Sequence, residues 1–306
     1  MPFRQPPSSR PVPTPAAKGQ GAPPAPFHSV SQCRPALGTY VKISIVGSAT
    51  KAELLSHSIE AFEVIDHIEK TMSFHDRDSE LSRVNRIASR QPVTVSRELA
   101  EVLDTALELS WLSAGLFDVT VAPRLIADGH LPDHGQPIDF DATWEDIRLR
   151  DGLVHFAKPL AIDLGGIAKG YAVDRALATI PSHLDVVINA GGDIGMRPWR
   201  GQSVAIRAPS QGRRGPALTE VAMRAPAVAT SGPFERREQS PIVCAKCRNA
   251  IVVPHTVSMF APSCMLADAL TKVAAICPEA NTIWQDLGGI ALLTDQKGRS
   301  AWLGSD

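Results

Sequence analysis

The stretch Asp163-Leu-Gly-Gly-Ile-Ala-Lys-Gly170 decides how the rest of this chain is read. Apolar residues from Ala161 run into paired glycines, which predicts a strand entering a tight turn. Helical spacing follows as far as Pro181, where a helix must stop. Gly165 and Gly166 carry no Cβ, so backbone there can approach a ligand closely. A helix opening directly behind the turn presents unpaired N–H groups and the positive end of its dipole, both suited to phosphate. Lys169 adds a full charge. The pattern is neither GxGxxG nor GxxxxGK[ST]. On local chemistry alone two readings stand: a phosphate cradle, or a tight turn bearing a surface lysine.

Downstream, Asp185–Asn189 reads as a buried strand ending in a second glycine turn, Asn189-Ala-Gly-Gly-Asp193. Turn chemistry would explain it alone; two such turns in close succession also suit one shared site. In Ala267-Asp-Ala-Leu-Thr-Lys272, Asp268, Thr271 and Lys272 stand at i, i+3 and i+4 and share a helix face. A carboxylate and a hydroxyl there could give hard oxygen ligands to Mg²⁺. The plainer alternative is a solvated Asp–Lys pair, worth a few tenths of a kcal/mol. Cys244-Ala-Lys-Cys247 supplies two thiolates where structural zinc takes four ligands, and the spacing of His255 and Cys264 does not complete a set. Redox CxxC pairs open a helix, whereas Pro241-Ile-Val-Cys244 reads as strand or loop.

The remaining elements follow from periodicity. Tyr40–Val46 alternate as a strand. Thr50-Lys-Ala-Glu53 has the form of a capping box, and Leu55, Ile59, Phe62, Ile65, Ile68 and Met72 follow at helical spacing. A second helix starts at Ser96 and stops at Gly115. Residues 126–160 are irregular, with a short strand at Leu153–Phe156. Further strands are expected at Val204–Ala208, Leu218–Met223, Val228–Thr230, Ile251–Val253 and Val257–Phe260. A helix over Cys264–Ile276 and a hairpin over Ile290–Leu303 complete the set. Helices and strands mix without βαβ alternation, so the fold class is α+β. No repeat or linker divides residues 31–306, which predicts one domain.

Composition limits the function classes. The chain has 306 residues, a net charge of -1 and 5% aromatics. Such a balance argues against a nucleic-acid footprint or stacking platform. No apolar run is long enough for a membrane helix, so no membrane insertion is expected. Residues 1–30 are rich in proline and poor in apolar side chains, the composition of a disordered tail. They hold no apolar secretory core, and the five cysteines do not look like a disulfide framework; the expected location is cytoplasmic.

Taken in order, several stretches resemble the FAD:protein FMN transferases, the ApbE-type flavin transferases. Arg34-Pro-Ala-Leu-Gly-Thr39 is similar to that family's opening R-x-x-M-G-T. Met72-Ser-Phe-His-Asp-Arg-Asp-Ser-Glu-Leu-Ser-Arg-Val-Asn85 is similar to its M-S-x-(Y/F)…S-E-(I/L)-S-x-(L/V)-N segment, and Gly115-Leu-Phe-Asp-Val-Thr120 to G-x-F-D-(P/V)-T. Asp163–Gly170 matches D-L-G-G-I-A-K-G without a gap. Asn189–Asp193 matches N-x-G-G-D, and Cys264–Leu270 resembles C-M-x-A-D-A-L.

The resemblance implies a single α+β, T-fold-related domain with FAD bound in a cleft. It implies that FMN is transferred from FAD to a threonine hydroxyl of a target flavoprotein, releasing AMP. Carried over residue by residue, it places Leu37, Gly38, Ser79, Phe117, Asp118, Val119, Gly165, Gly166, Lys169 and Asp174 along the FAD. It makes the Ala168 carbonyl and the Asp268 carboxylate ligands of Mg²⁺; where the chain departs from the family, Thr271 is taken as a further metal-ligand candidate, and Asp268, Lys272 and His255 are the expected catalytic residues.

Two departures stand out. Where the family has a Thr or Ser metal ligand four residues after the aspartate, this chain has Lys272, and Thr271 is one residue off. An ammonium there could replace Mg²⁺ beside the pyrophosphate or repel it. Where the family's S-H-I-(I/V)-D-P stretch carries a catalytic histidine, this chain has Pro241, which cannot move a proton. The readings are therefore a flavin transferase using Lys272 and another base, an eroded FAD-binding paralogue acting as carrier or regulator, or a CxxC redox or zinc protein. Glycine turns combined with Lys169 and Asp268 favour the first.

Overall fold

A computed structural model describes residues 27–136, 138–206, 219–232, 242–244, 249–251 and 253–303. The alternation read at Tyr40–Val46 belongs to β2 (Thr39–Gly47), which pairs antiparallel with β1 (His28–Ala36). β1 starts at His28, close to the boundary expected near residue 30; the rest of the expected tail, 1–26, lies outside the described residues. After β2 come α1 (Lys51–Met72), α2 (Glu80–Ile87), β3 (Val93–Thr94), α3 (Arg97–Leu112) and α4 (Ala122–Ala127). Next are β4 (Ile147–Arg150), β5 (Leu153–Phe156), α5 (Ala168–Thr179), β6 (Asp185–Ala190) and β7 (Asp193–Arg197). The chain continues through β8 (Ser203–Ile206), β9 (Thr219–Ala222), β10 (Ala227–Ser231), β11 (Ile242–Cys244), β12 (Asn249–Ile251) and β13 (His255–Ala261). It closes with α6 (Cys264–Ile276), α7 (Asn281–Asp286), β14 (Ile290–Asp295) and β15 (Ser300–Leu303).

Among the described residues the main sheet has eight strands in the order β1-β2-β6-β7-β10-β13-β14-β15, each pair antiparallel. The α+β class follows, with α1, α5 and α6 layered on one face. Val41, Ile43 and Ile45 of β2 and Val186 and Ile188 of β6 point into that layer and are buried. Each such side chain contributes roughly 1.5–3 kcal/mol of apolar burial. Their neighbours Tyr40 and Val187 face solvent on the other side of the sheet. Further along, the second face is covered as well: the β8–β9 hairpin sets Val204, Ile206 and Val221 against Met196, Val228, Phe260 and Leu292.

The capping box forms as read: Glu53 N–H donates to Thr50 Oγ1 and Thr50 N–H to Glu53 Oε2. The stripe on α1 is offset from the expected one. Leu54, Ser58 and Ala61 are buried in its first half, while Leu55 and Ile59 face solvent; counting back from Phe62 by one turn gives Ser58, then Leu54. The strand expected at Ala161 is also corrected, because residues 160–164 pair with no neighbouring strand. Among the described residues no helix is long and apolar enough to cross a membrane.

Candidate functional site

The glycine turn is held by a side chain in place of a strand partner. Buried Asn85, at the end of the motif on α2, donates through Nδ2 to the Ile162 carbonyl at 3.0 Å and accepts the Ile162 N–H at 2.9 Å. Asn85 thus satisfies both backbone groups of Ile162, the bonds a neighbouring strand would otherwise make there. One residue on, Asp163 N–H donates to the Val119 carbonyl at 2.8 Å, and the Asp163 carboxylate accepts Gly165 N–H at 3.1 Å. Burial raises the Asp163 pKa, against the Gly165 hydrogen bond and the charges of His75, Lys169 and Lys272. Phe117 lies behind the turn: a Cβ built on Gly166 would stand 3.8 Å from its ring and 3.4 Å from Lys272 Cε.

Gly170 serves packing. A Cβ there would fall 2.2 Å from the Cys264 carbonyl oxygen, so α5 and α6 cross backbone to backbone. Each helix then lends the other an aspartate. Asp174 of α5 accepts the N–H groups of Cys264 and Met265 at 2.8 Å each, capping α6. Asp268 of α6 accepts the Gly170 N–H at 3.3 Å near the start of α5. The anion at this helix N-terminus is therefore the protein's own carboxylate.

Asp268 is 1% exposed and sits between two lysines. Lys169 Nζ lies 3.0 Å from its Oδ2, and Lys272 Nζ contacts its Oδ1 and donates to its backbone carbonyl at 2.9 Å. Asp193, brought in by the β6–β7 hairpin, pairs with Lys169 at 2.8 Å. That hairpin turns through Gly191 and Gly192 at φ +66° and +114°, conformations that suit glycine, and Asn189 Oδ1 accepts the Gly192 N–H. Burial alone would push the Asp268 pKa up, but the two ammonium groups outweigh it and hold the carboxyl down at about 2. Burial likewise disfavours the charged form of Lys169, and Asp193 and Asp268 together reverse this, leaving it raised and the ammonium fixed. Asp193 moves the other way, raised by burial and by the charge of Asp268. The alternative of a solvated Asp268–Lys272 pair is overturned by this burial. Two ammonium groups, both part-exposed, stand beside a glycine turn and over buried counter-charges, an arrangement able to hold a phosphate group.

The expected site residues divide into two groups. Phe117, Gly166, Lys169, Asp268 and Lys272 come together at the turn, and Gly165 and Val119 bond to Asp163 beside them. Asp118 accepts from the N–H and the hydroxyl of Thr120, both at 2.8 Å. Leu37 and Gly38 form the β1–β2 turn, both with positive φ, and Leu37 N–H donates to Glu69 Oε2. Ser79 caps α2 through Ser82 N–H and donates to the Ser73 carbonyl. Both Asp174 oxygens are engaged in capping α6. His255 opens β13 opposite Asp295; its Nε2 is buried with no hydrogen-bond partner among the described residues, and burial lowers its pKa. Pro241 and Cys247 lie outside the described residues; Cys244 is partly buried in β11.

The expected Mg²⁺ ligands do not fit that ion as they stand. Ala168 opens α5, but both oxygens of Asp268 already face ammonium groups. The Thr271 hydroxyl is bonded to the Asp268 carbonyl at 2.6 Å and to Ser231 Oγ at 2.8 Å. Among the described residues no three His, Cys, Asp or Glu side chains are grouped to hold a metal ion. Three residues outside the expected set also belong to the site: Asn85, Asp193 and Ser231. Asn85 and Asp193 sit in motifs already quoted, and their partners, distant in the chain, carry no local signal.

Comparison with known proteins bears on this arrangement. The family model described as ApbE family matches residues 37–293. A protein of Vibrio cholerae named FAD:protein FMN transferase is 28% identical over 278 residues, covering 80% of each chain. One of the same name from Treponema pallidum is 29% identical over 280 residues, covering 78% of this chain and 76% of that one. Among solved structures, the ApbE protein of Thermotoga maritima superposes with a TM-score of 0.77 at 23% identity, covering 90% of this chain and 96% of that one. The flavin transferase ApbE of Vibrio cholerae gives 0.77 at 24% identity, covering 92% and 98%.

Proposed function

The chain belongs to the ApbE family, and on that premise we propose that it transfers FMN from FAD to a threonine hydroxyl of a target flavoprotein, releasing AMP. The observation that carries this reading is the meeting of Lys169 and Lys272 at one buried carboxylate beside the glycine turn. FAD is the substrate. The acceptor hydroxyl oxygen forms a bond to the FMN phosphorus while the bridging P–O bond breaks, and its electron pair leaves on AMP. Little covalent chemistry falls to the protein; it positions the groups and stabilises the charge developing on phosphate oxygens.

Lys169 and Lys272 supply that charge, and Asp268 holds both ammonium groups in place. Phe117 gives the turn an apolar wall. His255, kept neutral by burial, is the group we assign to take the hydroxyl proton. Alternation along β13 puts it on the same sheet face as Val257, the face that α6 covers; Val257 pairs with Ser231, which bonds Thr271.

The test is direct. The pure protein is incubated with FAD and a flavoprotein domain bearing an acceptor threonine; mass spectrometry reads the acceptor and chromatography reads AMP. The expected result is an acceptor heavier by one FMN, with one AMP released per transfer. His255→Gln should slow transfer about a hundredfold. FAD binding without any mass gain under all metal conditions would sink the transferase reading and leave a flavin-binding module.

A further inference from the structure

We propose that the Lys272 ammonium occupies the place of a divalent metal ion, so that the site engages the pyrophosphate of FAD with no metal. This deepens the reading above and rests on it only for the identity of the ligand.

Three observations converge. Lys272 Nζ is bound at two oxygens of one residue, the Asp268 carboxylate and the Asp268 carbonyl, and so stands where a cation held by Asp268 would stand. Its stem crosses Gly166, with Cε 3.4 Å from the position a Cβ would take. Gly166 therefore makes room for the lysine as well as for any ligand. The Thr271 hydroxyl is engaged by the Asp268 carbonyl and by Ser231 Oγ rather than by the carboxylate, with Thr271 buried and Ser231 part-buried.

Charge decides between the two occupants. Asp193 and Asp268 are in direct contact with Lys169 and Lys272, two carboxylates against two ammonium groups, and the buried Asp163 carboxyl lies within reach of both lysine charges. A Mg²⁺ bound to the same carboxylate at its required distance of about 2.0–2.1 Å would meet the Lys272 ammonium at close range. Mg²⁺ also needs near-octahedral oxygen donors and gives up water reluctantly. An ammonium needs neither, since it arrives on the chain with three donors, two facing Asp268 and the third without a partner among the described residues and so available to a phosphate oxygen.

The probe is FAD itself, titrated by flavin fluorescence against the full-length protein in EDTA and again in excess Mg²⁺. Wild type should bind FAD with affinities agreeing within about twofold in the two buffers. Lys272→Met should lose about tenfold or more in EDTA, and Lys272→Arg should keep most of the affinity. Lys272→Thr should bind weakly in EDTA and recover on adding Mg²⁺. A wild-type affinity that falls tenfold in EDTA and returns with Mg²⁺ overturns the proposal, as does a Lys272→Met protein that binds like wild type. The wild-type arm needs no substitution, so a misfolded variant cannot obscure the result. Binding is read apart from transfer: metal-free FAD binding that depends on Lys272, with no FMN on the acceptor, rejects the transferase reading and keeps this one. Transfer that requires Mg²⁺ does the reverse.

Discussion

The two ends of the α5–α6 crossing use the same side chain for the same bond, with opposite electrical outcomes. Asp174 accepts two N–H groups at the start of α6, and Asp268 accepts one near the start of α5. Burial dominates at Asp174 and lifts its pKa to about 6, although two backbone donors oppose it. Burial is also the largest single influence on Asp268, yet Lys169 and Lys272 drive that carboxyl down to about 2. Helix capping needs only a good acceptor. The lysines at Asp268 go beyond what capping requires, and this excess of cation is the reason we propose that end of the crossing as the functional one.

The largest effects are expected when each carboxylate is removed. Asp268→Ala strips two ammonium groups of a shared partner, and breaking a buried ion pair costs about 3–5 kcal/mol. Asp174→Ala leaves two helix N–H groups without their cap, a loss of about 1–2 kcal/mol. Urea unfolding at pH 7 measures both. Equal costs would mean that Asp268 is a cap like Asp174 and that the lysines add nothing to its hold.

What was legible in the sequence was local chemistry. The Thr50–Glu53 capping box, the helix over Cys264–Ile276 and the glycine turns each depend on neighbours a few residues away, and each formed where the residues pointed. The shared face of Asp268 and Lys272 was legible for the same reason. What escaped depends on partners far along the chain. Asn85 reaches Ile162 across 77 positions, and Asp174 reaches Cys264 across 90. Without those contacts in view, Ala161–Leu164 reads as a strand and the capping of α6 by Asp174 goes unseen. Gly170 shows a limit of motif reading: it belongs to the glycine-rich stretch, yet its need is close helix packing. The α1 stripe was blurred because Leu55 and Ile59 are apolar and exposed, which is ordinary for a surface helix.

The smallest effect is also the most specific, because it concerns sign. An unfolded aspartate titrates near pH 3.9. Asp174 has a folded pKa of about 6, so the folded state holds its proton more tightly. Its contribution to stability is full below about pH 4 and is lost as pH rises through 6. Asp268, at about 2, is the reverse case: its contribution is full above about pH 4 and is lost as pH falls through 2. Asn keeps an acceptor at either position and does not titrate. The cost of Asp174→Asn, measured against wild type by urea unfolding, should therefore shrink between pH 4 and pH 7. The cost of Asp268→Asn should shrink in the opposite direction, between pH 5 and pH 2.5. Each slope should be on the order of 1 kcal/mol per pH unit at its steepest. Slopes of the same sign would show that both aspartates feel burial alone, and the pairing of Asp268 with two lysines would then no longer explain why one end of the crossing differs from the other.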